Sequence, residues 1–218
     1  GKEETLIIEC GIKYKEILKG LNFDLSKVVG CLVSHEHKDH CKAIKDVMNN
    51  GIDVYSSQGT FEAMGLTRYH SIFIKSEITF KLGEFTILPF GTEHDAAEPL
   101  GFLIQHKEMG KLLFITDSYY CQYSFKGLDH ILIECNYSSA ILEDKELPRG
   151  LKGRIIKSHF ELENVKEFLK ATDLTQTKEI VLIHLSDSNS NAAQFQEEIE
   201  RATGKPVYIA DKGLEIEL

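Results

Sequence analysis

The segment VVGCLVSHEHKDH, Val28 to His40, decides the reading. Its first half, VVGCLVS (28–34), is an apolar run with no polar alternation. That is the pattern of a strand buried on both faces, as in the parallel sheets of α/β proteins. Its second half places His35, His37, Asp39 and His40 within six residues. In an extended segment residues i and i+2 project to one side, so His35 and His37 can grip one ion. Asp39 and His40 come where the chain turns toward the next helix; they point elsewhere and suit a second ion. Three histidines and an aspartate make a poor solvated turn and a good metal site. Borderline metals such as zinc favour imidazole with some carboxylate, and manganese is compatible. Two ions about 3.5–4 Å apart can together activate a water and stabilise a leaving oxygen.

Outward from that segment, the same arrangement recurs: an apolar run leads directly into a metal-capable side chain. ILPFGTEHD delivers His94, LLFITD delivers Asp117, VLIHLS delivers His184, and RIIKSH delivers His159. A carboxylate such as Asp117, placed between two ions, can bridge them. A lone histidine at a strand end is more often capped or solvated. That covers His70, His106 and His130, which have no cluster around them and are read as structural.

The remaining chain alternates strands with helices. TLIIEC (5–10) reads as a strand, and Ile17, Leu18 and Leu21 mark one face of a helix. KAIKDVMNNG reads as a helix stopped by Gly51, DVYSS as a short strand, and TFEAMG as a short helix. SIFIKSEITFKLGEFTILPF reads as successive strands with a tight turn at Leu82-Gly83-Glu84, and GFLIQHKEMGKLLFITD as a hairpin turning at Lys107–Gly110. HILIECN and EIVLIHLS are further strands. ELENVKEFLKATD and NAAQFQEEIERATG are amphipathic helices, the second with Phe195, Ile199 and Ala202 on one face. PVYIAD and LEIEL read as closing strands. Two sheets with helices packed outside them fit this α/β order best, as one domain over residues 1–218.

Composition narrows the partners. The 218 residues carry 25 basic and 34 acidic side chains, a net charge of −9. Lysines and arginines are interspersed with acids, without the basic stripe of a protein that grips a phosphate backbone. A long nucleic acid is therefore a weaker substrate candidate than a small one. No apolar run approaches the roughly 18 residues that span a bilayer, and no secretory signal is visible, so a cytoplasmic protein with no membrane partner is expected. The five cysteines include no Cys-x-x-Cys pair and read as reduced thiols. Cys41 adjoins the histidine cluster and could ligate, although nitrogen and oxygen ligands already abound there. Tyr137 could stack on a base, although packing is its more ordinary role.

These motifs resemble the metallo-β-lactamase superfamily, whose His-x-His-x-Asp-His signature stands complete at His35, His37, Asp39 and His40. The resemblance covers nearly the whole chain and implies a four-layer αββα sandwich. It implies that His35, His37 and His94 hold one divalent ion, that Asp39, His40 and His184 hold the other, and that Asp117 bridges. The oxygen-reducing di-iron branch has a glutamate at the position of His37, so iron redox chemistry is not expected. With 66 residues between Asp117 and His184, the large inserted domain of the mRNA-cleaving branch is absent. HDAAEPLGF, ITDSYY, RIIKSHFELENV and LIHLSDSNSN together look like the small YycJ-like phosphodiesterase branch, with phage anti-Pycsar enzymes as similar compact forms. That branch carries a GHxSxE element, matched at His159 by SHFELEN with Glu161 in place of the serine. A homodimer is implied by the same resemblance. The usual opening strand and Gly-Ser turn are missing and Gly1 is not a methionine, so N-terminal residues are expected to precede this chain. The expected activity is a two-zinc phosphodiesterase acting on a small cyclic nucleotide, with Asp39, Asp117 and His159 catalytic, in an anti-defence setting. Alternatives are a single-strand DNA or RNA exonuclease, a thioester or lactam hydrolase, and a non-catalytic metal-binding protein.

Overall fold

The computed structural model describes residues 3–67 and 69–218; Gly1, on which the expectation of a preceding segment partly rests, lies outside them. The backbone groups into two compact units, Gly1–Gly91 with Ala96–Phe102, and Thr92–Asp95 with Leu103–Leu218.

The first unit runs β1 (Thr5–Ile8), α1 (Tyr14–Gly20), β2 (Val28–Leu32), α2 (Lys38–Cys41), α3 (Ile44–Asn49), β3 (Val54–Ser56), α4 (Gln58–Met64) and β4 (Ser71–Phe73). The strands form a sheet of order β1-β2-β3-β4 in which every pair is parallel. Parallel neighbours need crossovers, and helices supply each of them. The apolar run at 28–34 is buried from Gly30 onward, with Cys31, Leu32 and Val33 fully enclosed, while Val28 and Val29 are half-buried. Ile17, Val47 and Phe61 from α1, α3 and α4 join Cys31 and Val33 in one core, each large side chain contributing about 1.5–3 kcal/mol. Ile8 stands beside Leu32 in the parallel register, so Glu9 and the segment after β2 leave the sheet at the same edge. The antiparallel pair β5 (Phe80–Leu82) and β6 (Phe85–Gly91) turns at Gly83, whose φ of +56° suits a residue without Cβ.

In the second unit, strands β11-β10-β9-β8-β7 lie side by side in that order. The second unit contributes most of β7 (Leu100–His106) and all of β8 (Gly110–Ile115), β9 (His130–Glu134), β10 (Glu179–Ile183) and β11 (Val207–Ile209). Strands β8 to β11 are mutually parallel, with Ile115 beside Ile133 and Ile183 beside Glu134. Their carboxyl ends therefore finish together. Helices α5 (Ser139–Glu143), α6 (Arg149–Ser158), α7 (Leu162–Ala171) and α8 (Ala192–Thr203) complete the unit. The amphipathic faces read from sequence are used: α7 buries Leu162, Val165 and Leu169, and α8 buries Phe195 and Ile199.

Two expectations fail. RIIKSH is not a strand but the last turns of α6, with His159 as its C-cap and its N–H bonded to the Ile155 carbonyl at 3.1 Å. Two adjacent isoleucines are too short an apolar run to specify a strand. LEIEL (214–218) has no regular structure. Its alternation sets Leu214, Ile216 and Leu218 along one groove with Leu132, Val181 and Ile183, where Leu214 and Leu218 remain exposed. The structural reading of the lone histidines stands. His70 pairs with Asp53, His106 accepts from the Glu108 N–H, and buried His130 is held between Glu179 and the Met109 carbonyl.

Candidate metal centre

In the first unit the ligand segment leaves β2 and turns into α2 at His37. The i, i+2 expectation is met: His35 Nε2 and His37 Nδ1 lie 3.0 Å apart. His35 is fully buried and is oriented by Ser34 Oγ, 2.9 Å from its Nδ1. Asp39 and His40 occupy the first turn of α2, with the His40 ring buried and the Asp39 side chain 64% exposed. Glu9 holds this arrangement. One carboxylate oxygen accepts the Ser34 N–H at 2.9 Å, and the other lies 3.0 Å from His40 Nδ1. Glu9 reaches both from a left-handed backbone, φ 66°, at the end of β1. The backbones also interlock: the Cys10 N–H donates to the His40 carbonyl at 2.8 Å, and the Ala43 N–H to the Cys10 carbonyl at 2.9 Å. Gly11 lets the segments approach this closely, since a Cβ there would sit 1.5 Å from the Asp39 carbonyl oxygen. The Cys41 thiol donates to the Glu36 carbonyl at 3.0 Å, and burial, aided by nearby acids, pushes it up to about 12.

In the second unit four segments converge. Asp117 follows β8, Glu134 ends β9, His184 follows β10, and His159 caps α6. Asp117, Glu134, His159 and His184 offer ligand atoms all within 4.8 Å of one another. Asp117 and His184 have φ of 42° and 55°. Non-glycine residues there carry strain of order 1–3 kcal/mol each, which the surrounding structure must hold. Open α/β sheets bind ligands outside the carboxyl ends of their strands, and this is where these side chains stand.

Glu134 is the residue that sequence reading missed. It is fully buried inside HILIECN, and all its acceptor capacity is committed. Oε2 accepts the Ser118 and Phe160 N–H groups, each at 3.0 Å. Oε1 lies 2.6 Å from His159 Nδ1 and 3.0 Å from His184 Nδ1. So engaged, it positions the imidazoles rather than competing for an ion. A glutamate ending an otherwise apolar strand was the signal that could have found it. Burial alone would push the His159 imidazole down, but the hydrogen bond and charge of Glu134, with Asp117, outweigh it and hold His159 above the usual histidine range.

His94 behaves oppositely. Its Nδ1 donates to the Ser158 carbonyl at 2.7 Å, which leaves Nε2 as the lone-pair nitrogen. Burial pushes its imidazole below the ordinary value despite Asp117. Nε2 nevertheless faces Asp117 Oδ2 at 3.3 Å. Asp95, held by Arg154 and Ser158, fixes the adjoining turn. A neutral nitrogen and a carboxylate facing each other at this distance call for a cation. Ligand bonds of about 2.0–2.1 Å put two tetrahedral zinc ligands roughly 3.3 Å apart. The separations 3.0 Å (His35–His37) and 3.3 Å (His94–Asp117) suit that spacing, whereas the His184 nitrogen 3.3 Å from Asp117 is the Nδ1 that Glu134 holds. The donor set therefore fits divalent ions.

Tyr137 is excluded from base stacking. It is 3% exposed, and its phenol is pushed up to about 12 by burial first and then by Glu161 and Glu134. Glu161, where the family pattern has serine, caps α7 by accepting the Glu163 N–H at 2.6 Å and the Asn164 N–H at 3.4 Å. It therefore does what a serine N-cap does.

Comparison with known proteins agrees with this geometry. Residues 15–185 match the family described as Beta-lactamase superfamily domain. The exodeoxyribonuclease YycJ of Bacillus anthracis is 30% identical over 203 residues, covering 86% of this chain and 76% of that protein. The metallo-β-lactamase fold protein YhfI from Bacillus subtilis superimposes with a TM-score of 0.76 at 19% identity, over 98% of this chain and 88% of that one. A diphosphatase from the PhnP family gives 0.65 at 16% identity, over 99% and 80%.

Proposed function

This chain belongs to the β-lactamase superfamily as a metal-dependent hydrolase, and from that premise we propose that it is a two-metal phosphodiesterase acting on a small, cyclic nucleotide. On the family pattern His35, His37 and His94 would hold one divalent cation, Asp39, His40 and His184 would hold the other, and Asp117 would serve both. Zinc suits the imidazole-rich set, and manganese is compatible. When bound, the cations supply Lewis-acid charge to the phosphoryl oxygens and make water a competent nucleophile near neutral pH.

The chain's own residues do the rest. Asp117 and Asp39 orient the nucleophile. His159 carries the observation on which the phosphodiester reading rests: its Nδ1 is pinned by Glu134 at 2.6 Å, its ring is stacked on His184, and its protonated form is favoured. An imidazolium so held donates a proton to the leaving oxygen or a hydrogen bond to the phosphate. The net charge of −9 supports a small substrate over a polymer.

A second reading, an exonuclease on single-stranded ends, is favoured by the name of the 30% identical relative. One assay separates them: metal-loaded protein against cyclic mononucleotides, cyclic dinucleotides and labelled DNA or RNA at two salt concentrations, with Asp39→Ala as the dead control. Cleavage of polymer only, weakening steeply with salt, would sink the small-substrate reading. His159→Ala is expected to lose roughly 10²–10⁴-fold in turnover at unchanged metal content.

No helix among the described residues is long and apolar enough to cross a membrane. The five cysteines are unbridged, which supports a reducing, cytoplasmic setting, and a homodimer and a role against cyclic-nucleotide defence signals are proposed on the resemblance.

A further inference from the structure

The segment that begins at Asp117 is DSYYCQY, with three tyrosines in five residues, and two of them are open to solvent: Tyr119 at 40% and Tyr120 at 57%. Large aromatics do not stand exposed together without reason. With Tyr123 they form one wall of a groove of about 460 Å³, whose other wall is the α7 face carrying Asn164, Glu167 and Phe168. That volume lies within the roughly 300–1,000 Å³ of small-molecule sites. Every residue of this groove belongs to the second unit.

Two features say what the groove takes. First, no side chain lining it is basic, and Glu167 is acidic, so a phosphate is unwelcome there. A flat uncharged ring suits the tyrosine faces, while Asn164 and Glu167 offer donors and acceptors to its edge. Second, the groove is anchored to the catalytic cluster. Glu134 Oε2 accepts the N–H of Ser118, which precedes the tyrosines, and the N–H of Phe160, which lines the groove and follows His159. Ser118 Oγ donates to the Tyr120 carbonyl at 2.6 Å, and the Tyr119 N–H donates to the Glu93 carbonyl at 3.1 Å, beside His94. A phosphoryl group held among Asp117, His159 and His184 therefore has an aromatic slot at one side, with no basic track beside it.

We propose that the Tyr119–Tyr120–Tyr123 groove is a nucleobase subsite that selects a base-bearing phosphodiester by stacking; this rests on the phosphodiesterase reading above. The test compares wild type, Tyr120→Ala and Tyr120→Phe, all metal-loaded, in binding and in turnover. Binding is measured by calorimetry with adenosine 5′-monophosphate against ribose 5-phosphate, which lacks the base. Wild type is expected to prefer the nucleotide by about 5- to 150-fold, the range of one base–aromatic stack. Tyr120→Ala should lose most of that preference while keeping its affinity for ribose 5-phosphate, and Tyr120→Phe should retain it. Equal affinity of wild type for the two probes, or equal losses on both in Tyr120→Ala, overturns the proposal. So does a dimer that dissociates in Tyr120→Ala by sedimentation without base discrimination, since a second copy then fills the groove. Turnover is compared on p-nitrophenyl thymidine 5′-phosphate and methyl p-nitrophenyl phosphate. If wild type cleaves neither, the phosphodiesterase reading fails, while the binding arm still decides whether the groove takes a base.

Discussion

In the first unit, Glu9 steadies candidate ligands that the chain delivers in six consecutive residues; in the second, Glu134 ties together the ends of β8, α6 and β10 through two imidazoles and two backbone N–H groups. Each carboxylate works through backbone N–H groups and imidazole Nδ1 atoms. Their loads differ. Glu9 engages one N–H and one ring and stays part-exposed; Glu134 engages two of each and is fully buried. A buried carboxylate whose every acceptor is used cannot be replaced by water, whereas a part-exposed one has solvent as a substitute. The second cluster is therefore the more brittle, although the first holds the recognisable motif.

The largest effects should come from the proposed ligands and fall equally on both units. His37→Ala and Asp117→Ala are each expected to lower turnover by roughly 10³-fold, several kcal/mol of transition-state stabilisation. Metal content by elemental analysis should drop below two equivalents in each. Full metal occupancy with full activity in either variant removes that residue from the centre.

Glu134→Gln tests the asymmetry. It keeps the side chain's shape but replaces one carboxylate oxygen with a donor that faces either imidazole N–H or backbone N–H groups. A loss of about 10–100-fold in metal affinity or activity is expected, with Glu9→Gln losing less. Equal losses would show that burial does not set the hierarchy. In chelator-treated wild type, His159 should titrate above the ordinary histidine range by NMR, and Glu134→Gln should bring it down. A pKa raised by folding stabilises fully below the unfolded value, and that stability is lost as pH rises through the folded one.

The same contrast explains what could be read from sequence. The first cluster is local, so spacing alone revealed His35, His37, Asp39 and His40. Asp117 and His184 were legible because strands announce themselves by apolar runs and both residues come directly after one. Their left-handed backbones left no trace, since aspartate and histidine occur in many conformations. Glu134 was hidden because its partners lie 25 and 50 residues away along the chain, where no periodicity reaches. His159 was found in its place but on the wrong element, because Ile155-Ile156 mimics a strand in RIIKSH and forms a helix instead.

Gly11 offers a milder break, confined to the first unit. Gly11→Ala forces a Cβ to within 1.5 Å of the Asp39 carbonyl oxygen, so the β1 end and the start of α2 must separate. Overpacking of this kind costs about 1–3 kcal/mol. The urea midpoint should fall with the slope unchanged, and metal affinity should weaken through Asp39 and His40. A variant as stable as wild type would mean that the two segments part freely.

The smallest effect separates architecture from chemistry at Glu161. Its carboxylate accepts the Glu163 and Asn164 N–H groups at the start of α7 and the Ser139 N–H at 2.9 Å. If its task is capping, Glu161→Ala should cost about 1 kcal/mol, or roughly 2–4 °C in Tm for a chain of this size. Glu161→Ser restores the α7 cap but is too short to keep the Ser139 bond, so it should recover only part of that loss. Both variants should retain wild-type turnover, because His159 is held by Glu134 and not by Glu161. A drop in turnover in Glu161→Ala that Glu161→Ser repairs, at equal Tm, would move this residue out of the scaffold and into the positioning of His159. The brittleness of the second unit would then extend from β9 to the N-terminus of α7.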